Sequence, residues 1–295
     1  MFCKGKVRLP LFFYCNTMKI LAWWSGGITS AAACKIVIDQ YGKDCVDVVF
    51  IDTMNEHPDT YRFLMDCEHW YGKSIKSIKN PNYTDIREVW LKYLSLNVAN
   101  GAICSSELKR ATRIKYQKEH DYDHQVFGFE FGKKEFNRAE SMKLNYPDSK
   151  PIFPLLQMGM YKEDCIQYVQ DAGIEVPMTY KMGYNNNNCF QTGCVQGGIG
   201  YWQQIKRQEP KKFYRMAVWE HLLTDLKGEP VTMLKDREQG KSEKLFLVPH
   251  PDYPNINDIS QKKGRPTEPL MECNGFCGLD DLNKNEQSMQ IGLLF

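Results

Sequence analysis

Short apolar segments alternate with longer segments of helical periodicity through the first part of this chain, from residue 20 to residue 172. Such alternation is typical of parallel βαβ units, because two parallel strands need a crossover helix between them. We therefore expect an α/β fold, a Rossmann-like parallel sheet with helices on both faces. The pattern predicts strands at 20–24, 46–52, 76–78, 125–129 and 152–153, and helices at 30–41, 58–71, 84–95, 106–120 and 162–172.

A glycine-rich turn joins the first predicted strand to the first predicted helix. Its sequence is Ser25-Gly26-Gly27-Ile28-Thr29-Ser30. Backbone N–H groups and the dipole of the helix attract an anion to such a turn, and glycine lets a phosphate approach the main chain. The hydroxyls of Ser25, Thr29 and Ser30 can donate further hydrogen bonds. An ordinary strand-to-helix turn is the alternative interpretation.

Composition excludes several classes of protein. The net charge of +2 gives no overall attraction to nucleic acid. No apolar run approaches the ~20 residues of a membrane span. Residues 1–17 contain too short an apolar run for a secretory leader, and Met18 is an equally good start, so we treat them as a dispensable extension. With eleven cysteines and no export signal, we expect reduced thiols and a cytoplasmic protein.

Cysteine spacing predicts a second site. Cys189 and Cys194 are separated by four residues, and Cys273 and Cys277 by three. Each pair can place two thiolates on one metal, so the two pairs together predict a four-sulfur site that folds the end of the chain back. Free thiols in turns remain the alternative. Four sulfurs suit both an iron–sulfur cluster and Zn²⁺.

The character of the sequence changes after about residue 183, where an asparagine run leads into the first cysteine pair. A helix is predicted at 211–226 and a strand at 245–248 within a polar, proline-punctuated region. We divide the chain into an extension at 1–17, an α/β domain at 18–205 and a C-terminal region at 206–295.

Motifs in order along residues 19–205 resemble those of the phosphoadenosine phosphosulfate (PAPS) reductase-like branch of the PP-loop superfamily, whose fold is HUP-type. The resemblance implies binding of an adenine nucleotide, PAPS or ATP, with chemistry at its α-phosphate or at an attached sulfo group. It implies nucleotide-binding roles for Ser25, Gly26, Gly27, Thr29, Ser30, Asp52, Thr53 and Glu56, with Asp52 a ligand for Mg²⁺ or the ribose. The matching motifs are Ser25-Gly26-Gly27, Asp52-Thr53 with Glu56, Pro58-Asp59-Thr60-Tyr61, Cys104-Ser105 with Lys109, Arg138-Ala139-Glu140-Ser141, and Cys189 with Cys194.

The same resemblance suggests catalytic residues. Lys109 and Arg138 are expected to neutralise the sulfo or phosphoryl end of the substrate. Cys277 lies in a segment similar to the C-terminal Glu-Cys-Gly-Leu-His of the reductases, whose cysteine attacks the sulfo group, although Asp280 stands in place of the histidine. Cys277 is therefore either a nucleophile or a metal ligand. A 4Fe-4S cluster is favoured over Zn²⁺ by this resemblance, with Cys104 as an alternative ligand.

One departure from the family pattern leaves the reaction open. Many ATP-cleaving members carry an aspartate two residues after the second glycine, whereas this chain has an apolar residue, Ile28, and then the hydroxyl of Thr29 in that neighbourhood. Ile28 cannot bind magnesium, yet the intact glycine pair favours ATP. The alternatives are ATP-dependent adenylation and thiolation of nucleic acid, or nucleotide sensing without catalysis. A thiol reductant or a sulfur-donor protein is a further expected partner. Nucleic-acid contact would use lysines and arginines near 133–143 and 206–212, and the oligomeric state is left open.

Overall fold

A computed structural model describes residues 18–98, 101–187, 189–237, 242–268 and 270. Five parallel strands form the central sheet in the order β3-β2-β1-β6-β7, which confirms the predicted Rossmann-like α/β fold. Two short antiparallel pairs, β4-β5 and β8-β9, accompany it. The strands are β1 Ile20–Trp24, β2 Val46–Ile51, β3 Ile75–Ile78, β4 Asn97–Val98, β5 Gly101–Ala102, β6 His124–Val126, β7 Pro151–Ile152, β8 Leu234–Asp236 and β9 Glu243–Leu245.

Helices connect the strands of the sheet and continue beyond it. None of them, within the described ranges, is long and apolar enough to cross a bilayer. A π-helical segment, Ser105–Arg110, runs directly into α4. The helices are α1 Ile28–Tyr41, α2 Pro58–Tyr71, α3 Ile86–Tyr93, α4 Ala111–Glu119, α5 Lys133–Asn145, α6 Pro154–Met158, α7 Lys162–Asp171, α8 Met178–Lys181, α9 Ile199–Gln208 and α10 Pro210–Lys227.

Most predicted elements are present with shifted ends. Helix α1 begins two residues before the predicted start, because Gly27 is its extended N-cap. The predicted fourth strand ends early, at Val126. The strand expected at 245–248 is instead β9, which ends at Leu245. Helix α5 was not predicted, since only Ala139 and Met142 of its thirteen residues are buried and its apolar periodicity is weak.

Alternation along β1 divides the core between the two faces of the sheet. Ile20, Ala22 and Trp24 pack with α1, α2 and α7 on one face. Leu21 and Trp23 pack on the other face with residues of α4 and α5. Because successive side chains of a strand point to opposite faces, β1 is buried on both, and the expected helices on both faces are confirmed.

A third apolar cluster joins the C-terminal region to the middle of the chain. Trp90 of α3, Trp202 of α9, Phe213 of α10 and Leu245 of β9 are all completely buried in it. The division of the chain at residue 205 stays a prediction.

Candidate functional site

The glycine loop, Ser25–Ser30, connects β1 to α1 at the carboxyl edge of the sheet. Gly26 has φ +85°, and a Cβ on it would lie 2.9 Å from Cγ2 of Thr60, so both conformation and space favour glycine. The Ser30 hydroxyl accepts hydrogen bonds from the backbone N–H and the hydroxyl of Ser25, at 3.0 and 2.9 Å, and donates to the Gly27 carbonyl at 2.9 Å. Ser30 therefore fixes the shape of the turn from within.

Asn187, from the asparagine run, supports the glycine loop from outside. Its buried amide donates to the Gly26 carbonyl at 2.8 Å and to the Thr60 hydroxyl at 2.9 Å, and its oxygen accepts from Thr179 at 2.8 Å. From the sequence, the run predicts only a sharply folded loop, because asparagine readily adopts left-handed backbone conformations. The run itself was the available signal, because a buried amide that satisfies three polar groups holds a turn in one conformation.

Gly128 brings the chain after β6 against the first turn of α1. A Cβ at this position would lie 2.7 Å from both Cα and the backbone nitrogen of Ser30. Backbone atoms cannot move aside as the end of a side chain can, so this close approach requires glycine. Sequence reasoning did not single out Gly128, whose signal is a lone glycine directly after an apolar strand.

Ile28 does not face the mouth of the glycine loop. Its side chain is completely buried in the core beneath α1. Its backbone N–H, the first of α1, donates to the Tyr180 hydroxyl at 3.2 Å. Ile28 thus contributes packing, and Tyr180 contacts the helix end where an anion would be attracted.

A cavity of about 300 Å³ adjoins the glycine loop. We call it the basic cavity, because four cationic side chains and two acidic ones line it together with Thr29 of the loop. The charged lining residues are Lys133, Lys134, Arg138, Lys162, Glu130 and Glu135. A helix start beside a concave basic surface is suited to an anionic ligand.

Arg138 is held in place on the wall of the basic cavity. Its guanidinium lies 4.2 Å from the centre of the Phe129 ring and forms an ion pair of 3.2 Å with Glu135. Lys162 likewise lies 3.4 Å from Glu130. The structure therefore places Arg138 in the same cavity as Thr29 of the glycine loop.

Asp52 and Thr53 follow β2 directly and form hydrogen bonds within the turn at the carboxyl end of this strand. The Asp52 carboxylate accepts from the backbone N–H of Met54 at 2.7 Å and from the Tyr61 hydroxyl at 3.0 Å. Burial, followed by the charge of Asp52, raises the pKa of the Tyr61 phenol. Asp52 thus acts at least as the cap of the strand end, and a role with Mg²⁺ or ribose stays a prediction.

Glu56 and Lys109 form a buried ion pair, with 3.7 Å between the carboxylate oxygen and Nζ. The Thr53 hydroxyl also donates to Glu56 at 2.9 Å. Both ionic side chains are almost fully buried, so this is not a solvent-exposed surface pair. Four residues on, Arg113 is fully buried against the Tyr146 ring, and burial lowers its pKa to about 10. Lys109 and Arg113 therefore contact different partners.

Three cysteines and Lys109 line a second, small cavity of about 20 Å³, which we call the thiol cavity. Cys189 approaches the Thr53 hydroxyl at 3.3 Å, while Cys104 stands at the start of the π-helical segment that carries Lys109. Such segments often occur at functional sites. The structure thus brings Cys104, Cys189 and Cys194 together although the first is far from the other two in the sequence.

The arrangement of the thiols around this cavity bears on both groups expected there, Zn²⁺ and an iron–sulfur cluster. Sulfurs bound to one tetrahedral Zn²⁺ at ~2.3 Å lie about 4 Å apart. The sulfurs of Cys104, Cys189 and Cys194 do not all lie within 4.8 Å of one another. By ligand type, three thiols around one cavity suit either an iron–sulfur cluster or Zn²⁺, and the choice between them stays a prediction. Cys273 and Cys277 lie outside the described residues.

Another group of possible ligands lies at the end of α10. Atoms of Asp225, His250 and Asp252 fall within 4.8 Å of one another. However, His250 Nδ1 accepts the backbone N–H of Asp252 at 3.2 Å. This contact assigns the imidazole proton to Nε2, which lies 3.3 Å from the Asp225 carboxylate. In this tautomer the imidazole offers no lone pair to a metal, so these three side chains do not form a metal site.

Three similarities relate the chain to known proteins. Residues 19–195 match the sequence model of the phosphoadenosine phosphosulfate reductase domain family. An uncharacterised protein of Methanocaldococcus jannaschii is 26% identical over 216 residues, which cover 70% of this chain and 42% of that protein. The chain thus spans less than half of this curated relative. The phosphate complex of PAPS reductase from Candida auris aligns with a TM-score of 0.46 and 16% identity, over 59% of this chain and 83% of that one.

Proposed function

Because the chain belongs to the phosphoadenosine phosphosulfate reductase domain family, within the adenine nucleotide alpha hydrolase superfamily, we propose that it binds an adenine nucleotide with its phosphates at the glycine loop. The supporting observation is the basic cavity beside the first turn of α1, which joins Thr29 to Arg138 and three lysines. Backbone amides and cations around one concavity match a phosphate or sulfate tail.

The proposed chemistry acts on the sulfo group of PAPS or adenylyl sulfate. A cysteine thiolate attacks the sulfur, so that an S–S bond forms while the S–O bond to the phosphate breaks and the nucleotide leaves. A thiol reductant then attacks the modified cysteine, which releases sulfite and oxidises the thiols to a disulfide. Arg138 and the glycine loop would stabilise the negative charge on the departing phosphate.

Cys277 is the proposed nucleophile, and the position of Leu270 supports it. Leu270 lines the basic cavity, and its backbone N–H donates to the side chain of Asn186 at 2.9 Å. Cys277 follows Leu270 by seven positions in the sequence.

The thiol cavity would supply the ligands of a cluster rather than the nucleophile. We assign Cys104, Cys189 and Cys194 to it, with Cys273 as the fourth candidate. Beside these thiols, the buried Lys109 places a positive charge that stabilises thiolates. Iron, sulfide and visible-absorption measurements on anaerobically purified protein test this assignment, and a protein with zinc alone or no metal would contradict it.

Product analysis tests the proposed reaction. With PAPS and a thiol donor, we expect sulfite and adenosine bisphosphate, and Cys277→Ser should abolish sulfite while retaining nucleotide binding. Arg138→Gln should weaken nucleotide binding at least about tenfold, since a charge-assisted contact is lost. Arg87→Gln, an exposed arginine of α3 paired with Asp85, is the matched control. Unchanged binding by Arg138→Gln would contradict the proposed site.

ATP-dependent adenylation of nucleic acid is the second candidate reaction. The observation that favours it is the pair of exposed lysines, Lys133 and Lys134, on the outer rim of the basic cavity, where a polyanion could approach. It predicts AMP and pyrophosphate release from ATP only when nucleic acid is added. A protein that binds nucleotide but is inactive in both assays would instead be a sensor.

A further inference from the structure

Helix α10 presents an apolar stripe to solvent. Tyr214, Val218, Leu222 and Leu226 are spaced four residues apart, and between 39% and 65% of each is exposed. Residues at this spacing lie on one face of a helix, so the four side chains form a continuous ridge along most of α10. Single exposed apolar residues need no explanation, but an aligned ridge indicates an interaction surface.

Charged residues lie beside the ridge, basic ones toward the N-terminus of α10 and acidic ones toward its C-terminus. Lys211 and Arg215 lie in the N-terminal half of α10, while Asp225 lies in the last turn and Glu229 just beyond it, and all four are exposed. The helix dipole disfavours this arrangement, because it favours acidic residues at the N-terminus and basic residues at the C-terminus. The first turn of α10 contains no acidic residue. Lys227 in the last turn has the sign that the dipole favours, so the unfavourable order belongs to the charges beside the ridge and not to the helix as a whole.

We propose that the α10 ridge binds the same ridge of a second copy of this chain, with the two helices antiparallel about a two-fold axis. In this register Val218 faces Leu222 of the second copy and Tyr214 faces Leu226. The flanking charges then also match, since Arg215 faces Asp225 on each side of the axis, while Glu229 lies beyond the end of α10 and pairs with Lys227 of its own chain at 2.9 Å. A two-fold interface must be self-complementary, and this helix satisfies the requirement in both its apolar and its charged positions.

The size of the surface sets the strength of the association. Helix α10 contains 18 residues. At the usual rise of an α-helix its length is about 27 Å, so a single pair of helices forms an interface at the small end of specific complexes. We expect a reversible dimer whose population depends on protein concentration. The ridge lies outside the glycine loop and both cavities, so this inference is independent of the proposed reaction.

Sedimentation equilibrium of the full chain over a wide range of concentration tests the dimer. Arg215→Glu and Asp225→Arg should each raise the dissociation constant at least about tenfold, because each places like charges opposite one another twice in the dimer. The double variant restores opposite charges and should bind within about threefold of the wild type. Circular dichroism checks that each variant is folded.

Val218→Glu is a second test that does not depend on the charge pairs. It places two carboxylates near the two-fold axis and should abolish the dimer, whereas Leu144→Glu, at an 80% exposed leucine of α5, should leave it unchanged. A wild type that is monomeric at every concentration would overturn the proposal, because the ridge would then be covered by another segment of the chain or by a different protein. So would single charge reversals without effect, or a double variant that fails to restore binding.

Discussion

The buried carboxyl group of Glu220 allows a quantitative prediction. It lies in the middle of α10, is completely buried, and accepts the backbone N–H groups of Met233 and Leu247, each at 2.7 Å, on its two oxygens. Burial raises its pKa from 4.5 to about 8, although both hydrogen bonds act in the opposite direction. We consider the substitution Glu220→Gln, which keeps the shape of the side chain and removes the titration.

The sign of the pH dependence follows from this shift. Between pH 4.5 and about 8 the folded protein keeps a proton that the unfolded chain has released, so the free energy of unfolding falls as pH rises through this window. The slope is about 1.4 kcal/mol per pH unit, and the whole window contributes roughly 5 kcal/mol. Glutamine has no such term, but its NH₂ group cannot accept a hydrogen bond and leaves one buried amide unsatisfied, which costs about 1–3 kcal/mol.

These opposing effects predict a crossover. At about pH 5 the Glu220→Gln variant should be less stable than the wild type by up to about 2 kcal/mol, and at about pH 9 it should be more stable by roughly 2 kcal/mol or more. Urea unfolding at a series of pH values measures the difference, in which the titration of all other groups cancels. A difference that does not change between those pH values would refute the protonation of Glu220 in the folded protein.

Further predictions concern the glycine loop and the buried ion pair. Gly128→Ala should destabilise the fold by about 1–3 kcal/mol in urea unfolding and weaken nucleotide binding. Gly264→Ala, where a Cβ meets open space, should change stability only by about 0.5 kcal/mol or less. Tyr180→Phe should strengthen phosphate binding by calorimetry about three- to tenfold, since it releases an amide of α1, and weaker binding would show that the hydroxyl itself contacts the ligand. Glu56→Gln and Lys109→Met should each lower the free energy of unfolding by about 3–5 kcal/mol in urea unfolding, and the double variant should recover much of that loss. If the two losses were additive in the double variant, the residues would not form a coupled pair.

Apolar periodicity predicted the helices and strands that bury one face or all of their side chains, and it missed a helix that buries few of them. The sequence of β1 is apolar throughout because helices cover both of its faces, and α2 was predicted with its observed ends, Pro58–Tyr71. The C-terminal glycine of α7, Gly173, has φ +76°, the left-handed conformation expected there. Helix α5 escaped prediction because eleven of its thirteen residues are not buried, so its sequence carries almost no apolar period.

The sequence predicts which residues belong to the candidate site, but it does not predict the environment of each side chain. The sequence predicts Lys109 as a site residue, but only the structure shows that Glu56 lies beside it, since Glu56 comes from the turn after β2 and Lys109 from the π-helical segment. For the same reason the sequence could not show that Asn187 holds the Gly26 carbonyl or that Gly128 contacts Ser30. Such contacts depend on how the elements pack.

Two kinds of group near the glycine loop would bind an anion: the backbone amides of the loop and the charged side chains of the basic cavity. The amide of Ile28 already donates to Tyr180, so an incoming phosphate must displace or share this hydroxyl, and the backbone of the loop contributes less than a bare helix start would. The charges of the basic cavity must then supply a larger part of the attraction, since Lys133, Lys134 and Arg138 line it together with the loop. Attraction by exposed lysines is screened by salt, whereas a hydrogen bond from a buried amide is not. Affinity for an anionic ligand should therefore fall steeply with ionic strength in this protein, and more steeply in the wild type than in Tyr180→Phe.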